Sequence, residues 1–305
     1  MQRTILLRDP TRRPEARALL QLLKPVTWFP PMWAFGCGVV SSGVSVQEHL
    51  GVVLLGVLLA GPLVCGASQI VNDWFDRHVD AINEPNRPIP SGRVPGAWGL
   101  YYAILWSGLS LWVGYLLGPW VFGATLVGMA LAWAYSAPPF RLKLNGWWGN
   151  AAVGFSYEGL AWVTGAAVMI GGAMPDARIL TLAVLYSLGA HGIMTLNDFK
   201  AIDGDLQMGV RSIPAQLGAP RAARLACWIM ALPQVVVIAL LIHWERPVHA
   251  LLVGVLLLLQ FAAMRRLLRD PRRFAPWYNA TGVTLYVLGM LASAFAVRAT
   301  VGGAM

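Results

Sequence analysis

The sequence predicts an all-α, polytopic membrane fold with nine candidate spans, and three observations predict it. Of 305 residues, 57% are hydrophobic and only 12% charged, far from the balance of a soluble domain. Runs such as 52–64, 121–134 and 251–263 are free of charge, and several extend to the ~20 residues that cross ~30 Å of hydrocarbon. Lysine and arginine gather in alternate inter-span segments, the pattern that fixes topology in a bilayer.

The elements follow in order. Residues 1–24 carry Arg3, Arg8, Arg12, Arg13, Arg17 and Lys24. They lack a short apolar core followed by a small-residue cleavage site, so a cytoplasmic segment is expected rather than a signal peptide. The spans run over 26–44, 50–71, 98–117, 119–136, 148–171, 178–196, 222–243, 246–263 and 277–297. Only the Gly118–Pro119 turn divides the third from the fourth. The whole, 1–305, reads as one integral-membrane domain with two Asp-rich cytoplasmic loops, 72–97 and 197–221. Cys37, Cys65 and Cys227 fall inside spans at no metal-ligand spacing and read as small apolar packing residues.

With the N-terminus placed in the cytoplasm, all but Arg178, Arg246 and Arg298 of the 23 Lys and Arg residues fall on the inner side. The net charge of +9 then reflects topology, and no nucleic-acid partner is expected.

The acids break this pattern. Half of the 14, namely Asp73, Asp76, Asp80, Glu84, Asp198, Asp203 and Asp205, sit in two short inner segments. Spacings of three and four put Asp73, Asp76 and Asp80 on one face if the second span's helix continues, where like charges repel and call for a cation. Asp198 and Asp205 are two turns apart on one face unless Gly204 breaks the helix first. The two segments resemble each other. Each begins Asn-Asp-aromatic, at Asn72 and Asn197, and each carries Arg-x-Ile-Pro 15 or 14 residues later, at Arg87 and Arg211. Such symmetry suggests a parallel repeat with a shared site between the halves. Hard oxygen ligands in this number suit Mg2+, which takes one or two carboxylates, waters and substrate phosphates. The alternative, plain solvated carboxylates, fits one such loop better than two in so acid-poor a chain.

Basic residues recur beside the acids: Arg77, Arg87 and Arg93, then Arg141 and Lys143 in YSAPPFRLK, then Lys200 and Arg211. Each is a candidate for stabilising a diphosphate, Arg as a bidentate clamp and Lys as a point charge. Topology alone also collects cations in inner loops.

With these residues in view, NDxxDxxxD at a span end, YSxPPxRLK and a second Asp-rich segment resemble the UbiA superfamily of intramembrane prenyltransferases, over nearly the whole chain. DRHVDAINEPNRPIPSGRVPGAWGLY, NDFKAIDGD and APWYNATGVTLYVLGM resemble the branch of that superfamily that makes chlorophylls and bacteriochlorophylls. The resemblance implies about nine transmembrane helices around a central cavity, with both Asp motifs above it on the cytoplasmic side. It implies two Mg2+ ions held by Asn72, Asp73, Asp76 and Asp80 on one side and Asp198 and Asp205 on the other, binding a geranylgeranyl or phytyl diphosphate. The acceptor it implies is the propionate of bacteriochlorophyllide, or alternatively chlorophyllide, giving an ester in a bacterial inner, photosynthetic membrane. Many relatives write the second motif DxxDxxxD. Here the middle position is Ala201 and Asp203 is an extra acid, ranked below Asp198 and Asp205 as a ligand.

Weaker candidates line up for the acceptor. His191 could ligate the central metal of a chlorin, although a lone membrane histidine more often bonds between helices. Glu158 is the one acid well inside a span, and such residues face a cavity or a partner. Tyr135, at the head of YSAPPFRLK, and Tyr278 and Asn279, at the start of the last span, complete the set. Most of the 14 Trp residues are expected at the membrane interfaces. A CDP-alcohol phosphotransferase would need a D-G-x-x-A-R arrangement that is missing here. An ion-coupled transporter would place its acids near the bilayer midplane rather than at helix ends.

Overall fold

A computed structural model of the chain describes residues 13–301; Arg3, Arg8 and Arg12 of the expected cytoplasmic segment lie outside the described residues. Helices cover every candidate span. In chain order they are α1 (Ala16–Leu22), α2 (Phe29–Ser41), α3 (Gln47–Asn83), α4 (Trp98–Leu116), α5 (Pro119–Ser136), α6 (146–169), α7 (Ala177–Asn197), α8 (Ile202–Met208), α9 (Ile213–Leu217), α10 (Ala219–His243), α11 (Pro247–Leu267) and α12 (Pro271–Val301). Five helical stretches, 47–83, 177–208, 219–243, 247–267 and 271–298, are long and apolar enough to cross a membrane by length and composition. With 13 residues, α2 reaches only ~20 Å at 1.5 Å per residue.

Two boundaries differ from expectation, and both matter for the site. The helix of the second span does not end near 71. It continues to Asn83 and stops where Glu84 precedes Pro85, because the residue before a proline is steered out of the helical region. The first acidic segment is therefore three turns of helix before it becomes a loop. At the second segment α7 gives way to a 3-10 turn over Asp198–Ala201 before α8 begins. Asp198 and Asp205 thus do not share one continuous helix, and the break comes before Gly204.

Two helices carry a π-helical turn, Leu59–Cys65 in α3 and Phe155–Leu160 in α6. In α3, Pro62 lies inside the turn; it lacks the N–H that a regular ladder needs, and such irregular turns gather at functional sites.

The bundle is closed by small residues and polar pins. A Cβ on Gly38 would lie 2.0 Å from the Trp162 carbonyl oxygen, and one on Gly165 would lie 2.1 Å from that of Phe35, so the backbones of α2 and α6 touch. This is how helices associate in lipid, where packing replaces the hydrophobic drive. Trp162 stacks on Tyr186 at 5.6 Å, and its indole N–H donates to Ser41 Oγ at 3.0 Å. Tyr286 donates to the Tyr186 carbonyl at 2.7 Å. Gln234 and Gln260 exchange amide hydrogen bonds of 2.9 and 3.1 Å between α10 and α11. The three cysteines are free and buried, as packing residues should be.

Since α2 and α6 also wall the cavity described below, Gly165→Val is expected to lower stability by about 2 kcal/mol or more through overpacking. Thermal unfolding in detergent measures it; an unchanged midpoint would mean that the two helices can separate without cost.

Candidate active site

A cavity of about 570 Å³ runs through the bundle, walled by α2, α3, α5, α6, α7 and α12. Its inner wall is mainly apolar, with Leu59, Val64, Leu131, Leu160, Val283 and Val287. One end is polar: Gln69, Asn72, Tyr135, Asn197 and Asn279 line it. Asn72 and Asn197 are the first residues of the two acidic segments, so both segments reach the same mouth. Tyr135 lines that same mouth.

The first cluster is held by three cations. Lys24 Nζ lies 2.6 Å from Asp73 Oδ1. Arg87 spans Asp80 Oδ2 at 2.9 Å and Asp73 Oδ1 at 3.5 Å, and also binds Glu84 through two bonds of 2.7 and 3.0 Å. Lys143 pairs with Asp76. The repulsion expected along that helical face is thus offset, and Asp73, only 2% exposed, keeps Oδ2 without a partner. Burial pushes the Lys143 ammonium below the usual lysine range, and Asp76 pulls it back up. The Arg87 guanidinium holds the Glu84 carboxyl below the ordinary range.

The second cluster is arranged by α6. Buried Asn150 donates to Asp198 Oδ2 at 3.2 Å, and Asn279 donates to Asn197 Oδ1 at 2.7 Å while its own Oδ1 has no partner. The chain before α6 is pinned to the second segment by backbone bonds from Arg211 to Leu144 at 2.9 Å and from Gly146 to Arg211 at 2.8 Å. A Cβ on Gly146 would meet the Ile213 nitrogen at 2.6 Å, so only glycine permits that approach. This clasp carries Arg141 and Lys143 to the site.

Of the three non-glycine residues with positive φ among the described residues, two are Lys24 (44°) and Arg141 (40°). Such strain persists only where the surroundings impose it, and it clusters at functional sites. Arg141 has no carboxylate partner among the described residues, and its Nε is buried without a bond.

The side chains of the other candidates have different surroundings. Arg77 lies over the Trp74 ring at 4.1 Å and donates to the Trp74 carbonyl. Arg93 binds Gln21, Asn86 and Ser91 and so closes the loop after α3. Asp203 is exposed and pairs with Arg272 at 3.2 Å. Lys200 and Arg211 are exposed at the second segment. His191 Nε2 meets the Trp147 carbonyl at 3.2 Å and is absent from the cavity wall. Tyr278 is fully buried in the helix core, whereas its neighbour Asn279 lines the cavity. Glu158 lines the cavity as well.

Lys24 and Asn150 carry no motif of their own; Ser136, which accepts from Asn72 at 3.2 Å, is the second residue of YSAPPFRLK. Lys24 was findable as a cation directly before the first span.

Oxygen donors suited to a hard divalent ion are therefore gathered at one mouth, two of them orphaned. Among the described residues, no three acid, His or Cys side chains converge into a ready coordination sphere, since Lys24, Arg87 and Lys143 draw the acids apart. That suits an ion that takes few protein ligands and completes its shell with water and phosphate oxygens.

Comparison with known proteins identifies the family. Residues 27–288 match the UbiA prenyltransferase family. The chain is 61% identical to the bacteriochlorophyll synthase 33 kDa chain of Cereibacter sphaeroides, over 95% of each. It is 38% identical to the chloroplastic chlorophyll synthase of Arabidopsis thaliana, over 91% of this chain and 73% of that one. The fold superposes on a UbiA homolog from Archaeoglobus fulgidus bound to GPP and Mg2+ with a TM-score of 0.72, at 22% identity and covering 92% of this chain and 99% of that one. The all-helical bundle, the two acidic segments at one cavity mouth and these matches together show that the chain belongs to the UbiA prenyltransferase family.

Proposed function

We propose that this prenyltransferase esterifies the propionate of bacteriochlorophyllide a with a geranylgeranyl or phytyl group taken from its diphosphate, and that two Mg2+ ions take part. The observation that carries the chemistry is the convergence of both acidic segments on the polar end of one apolar cavity. The acceptor rests on the 61% identity to a bacteriochlorophyll synthase chain over nearly full length.

The reaction forms one bond and breaks one. A carboxylate oxygen of the acceptor bonds to the allylic carbon, and the electron pair of the carbon–oxygen bond leaves with the diphosphate. Asn72, Asp73, Asp76 and Asp80 on one side and Asp198 and Asp205 on the other would hold the two ions between them. Bound there, Mg2+ supplies Lewis-acid stabilisation of the leaving diphosphate.

The chain's own residues do the rest. Arg141 and Lys143, carried in on the clasp, and Lys24 and Arg87, already at the first cluster, present fixed positive charge where negative charge develops. Fixed donors of this kind do not have to reorganise during the reaction. Asn150 orients Asp198, and the apolar wall holds the prenyl chain and excludes water from the cation-like carbon. A propionate is ionised near neutral pH, so the site needs no strong general base. The cytoplasmic face of the photosynthetic membrane is the matching location, with the N-terminal segment and both acidic segments on that side.

The test is an assay of the purified protein with bacteriochlorophyllide a, geranylgeranyl diphosphate and Mg2+, following the esterified pigment by chromatography. Product should form and disappear on addition of EDTA. Esterification of chlorophyllide a in preference would reassign the acceptor, and product that survives EDTA would remove the metal from the mechanism.

A further inference from the structure

One acid has no task in the esterification. Glu158 lies in the π-helical turn of α6, is 7% exposed and lines the cavity. Among the described residues its carboxyl makes no ion pair and no hydrogen bond. The charged groups of the site are at the other end. Asn150, which binds Asp198, precedes Glu158 by eight residues on the same helix, about 12 Å at 1.5 Å per residue. No charged side chain pairs with Glu158 among the described residues, and its neighbours along the cavity wall of α6 are Ser156, Tyr157, Leu160, Ala161 and Thr164.

An isolated ionised carboxylate in such surroundings would carry a prohibitive desolvation cost, so the group is held as the neutral acid. A neutral carboxyl offers one O–H donor as well as an acceptor. Its oxygens face the cavity without a protein partner, and a donor there is satisfied when an occupant brings an acceptor to it. The prenyl chain has none. The diphosphate has many, but they belong beside the cations at the mouth. The occupant that can answer Glu158 is the ring acceptor.

We infer that Glu158, as a neutral hydrogen-bond donor, binds the acetyl carbonyl of a bacteriochlorin acceptor and so sets the preference for this ring over a chlorin. The inference rests on the proposed acceptor and deepens it. Bacteriochlorophyllide a carries an acetyl group where chlorophyllide a carries a vinyl group, which cannot accept a hydrogen bond. The carbonyls shared by both pigments lie on the isocyclic ring, next to the propionate. With the propionate at the diphosphate end, those carbonyls stay near the mouth. The acetyl group lies diagonally across the macrocycle from the isocyclic ring, so it is the carbonyl that can extend toward Glu158, about 12 Å along α6 from Asn150. A vinyl group placed there leaves the donor unpaired, and a site built around a polar contact rejects the analogue that lacks it.

The experiment compares wild type, Glu158→Gln and Glu158→Met with bacteriochlorophyllide a and chlorophyllide a, each with geranylgeranyl diphosphate and Mg2+. Wild type should favour the bacteriochlorin. Glu158→Met should lower kcat/KM for bacteriochlorophyllide a by about 10- to 100-fold, the cost of one unmade buried hydrogen bond, and leave chlorophyllide a unchanged or better. Glu158→Gln, which keeps a donor, should retain most of the preference. The acetyl C=O stretch of bound bacteriochlorophyllide a should be downshifted in wild type and Glu158→Gln and return to the free value in Glu158→Met. Binding of geranylgeranyl diphosphate with Mg2+ reports on folding, and if Glu158→Met loses it, Glu158→Gln decides alone by keeping or losing both the preference and the downshift. Equal losses for the two pigments in a folded variant, or no change in either, would overturn the role of Glu158 and leave the proposed function standing. A wild-type protein that esterifies neither pigment would overturn both.

Discussion

Asp76→Ala is expected to lower turnover by about 10²- to 10³-fold or more, the scale of losing a group that organises transition-state charge. The side chain sits on the helical face shared with Asp73 and Asp80, and its partner is Lys143, whose side chain is only 12% exposed. Removing the carboxylate therefore does two things. It takes away a metal-ligand candidate, and it leaves a mostly buried ammonium unpaired, which destabilises by about 3–5 kcal/mol when the burial is complete and by less here. The two effects separate in a double variant. Asp76→Ala with Lys143→Met should recover thermal stability in detergent without recovering activity. Asp203→Ala is the matched control, since Asp203 pairs with Arg272 at an exposed surface; its activity should stay within about threefold, as for a surface ion pair. If Asp203→Ala were as damaging as Asp76→Ala, the division between the site and its surroundings drawn from the geometry would be wrong.

Much of the bundle was legible because its signals are local. Charge-free runs mark where α3, α10 and α11 lie, and Gly118–Pro119 separates α4 from α5 as expected. The ends of helices were not legible in the same way. Hydropathy ends with the apolar run near residue 71, but α3 continues for three more turns because its carboxylates find cations from elsewhere: Lys24 from before α2, Arg87 from the loop, Lys143 from the clasp. Those partners are distant in sequence, so no local pattern shows them. The 3-10 turn at Asp198 has the opposite effect, and it is where a simple two-turn projection of Asp198 onto Asp205 fails.

At the site, spacing identified which acids to consider, while direction decided among their neighbours. Arg77 is one residue from Asp76 and looks as suitable as Arg87, but it folds back over Trp74 on its own helix. Arg93 is used up by Gln21 and Asn86. His191 turns to α6 and Tyr278 is buried in the helix core, whereas Asn279, next to Tyr278, reaches the cavity. Such choices between adjacent residues depend on the helix face each occupies after packing. A composition count, which treats all inner-loop cations alike, has no access to that.

Arg141 is the cation on which these considerations converge. It stands at φ 40° at the start of the clasp, its Nε is buried without a bond, and no carboxylate among the described residues neutralises it. Lys24, Arg87 and Lys143 each already face an acid. A strained guanidinium two residues from Lys143, with no carboxylate partner among the described residues, is therefore the group with most to gain from a diphosphate, which it can bind through two parallel bonds. Arg141→Met should lower kcat/KM by about 10²-fold and weaken inhibition by inorganic pyrophosphate by a comparable factor. Arg141→Lys should recover only part of this, because an ammonium supplies charge without the planar fork. Arg77→Met should change neither quantity by more than about threefold, as expected for a half-buried side chain folded back over Trp74. Pyrophosphate inhibition measured across the three variants discriminates the roles. Unaltered inhibition in Arg141→Met would mean that the diphosphate is held by the cations already paired with the acids, and that these ion pairs must open when the substrate binds.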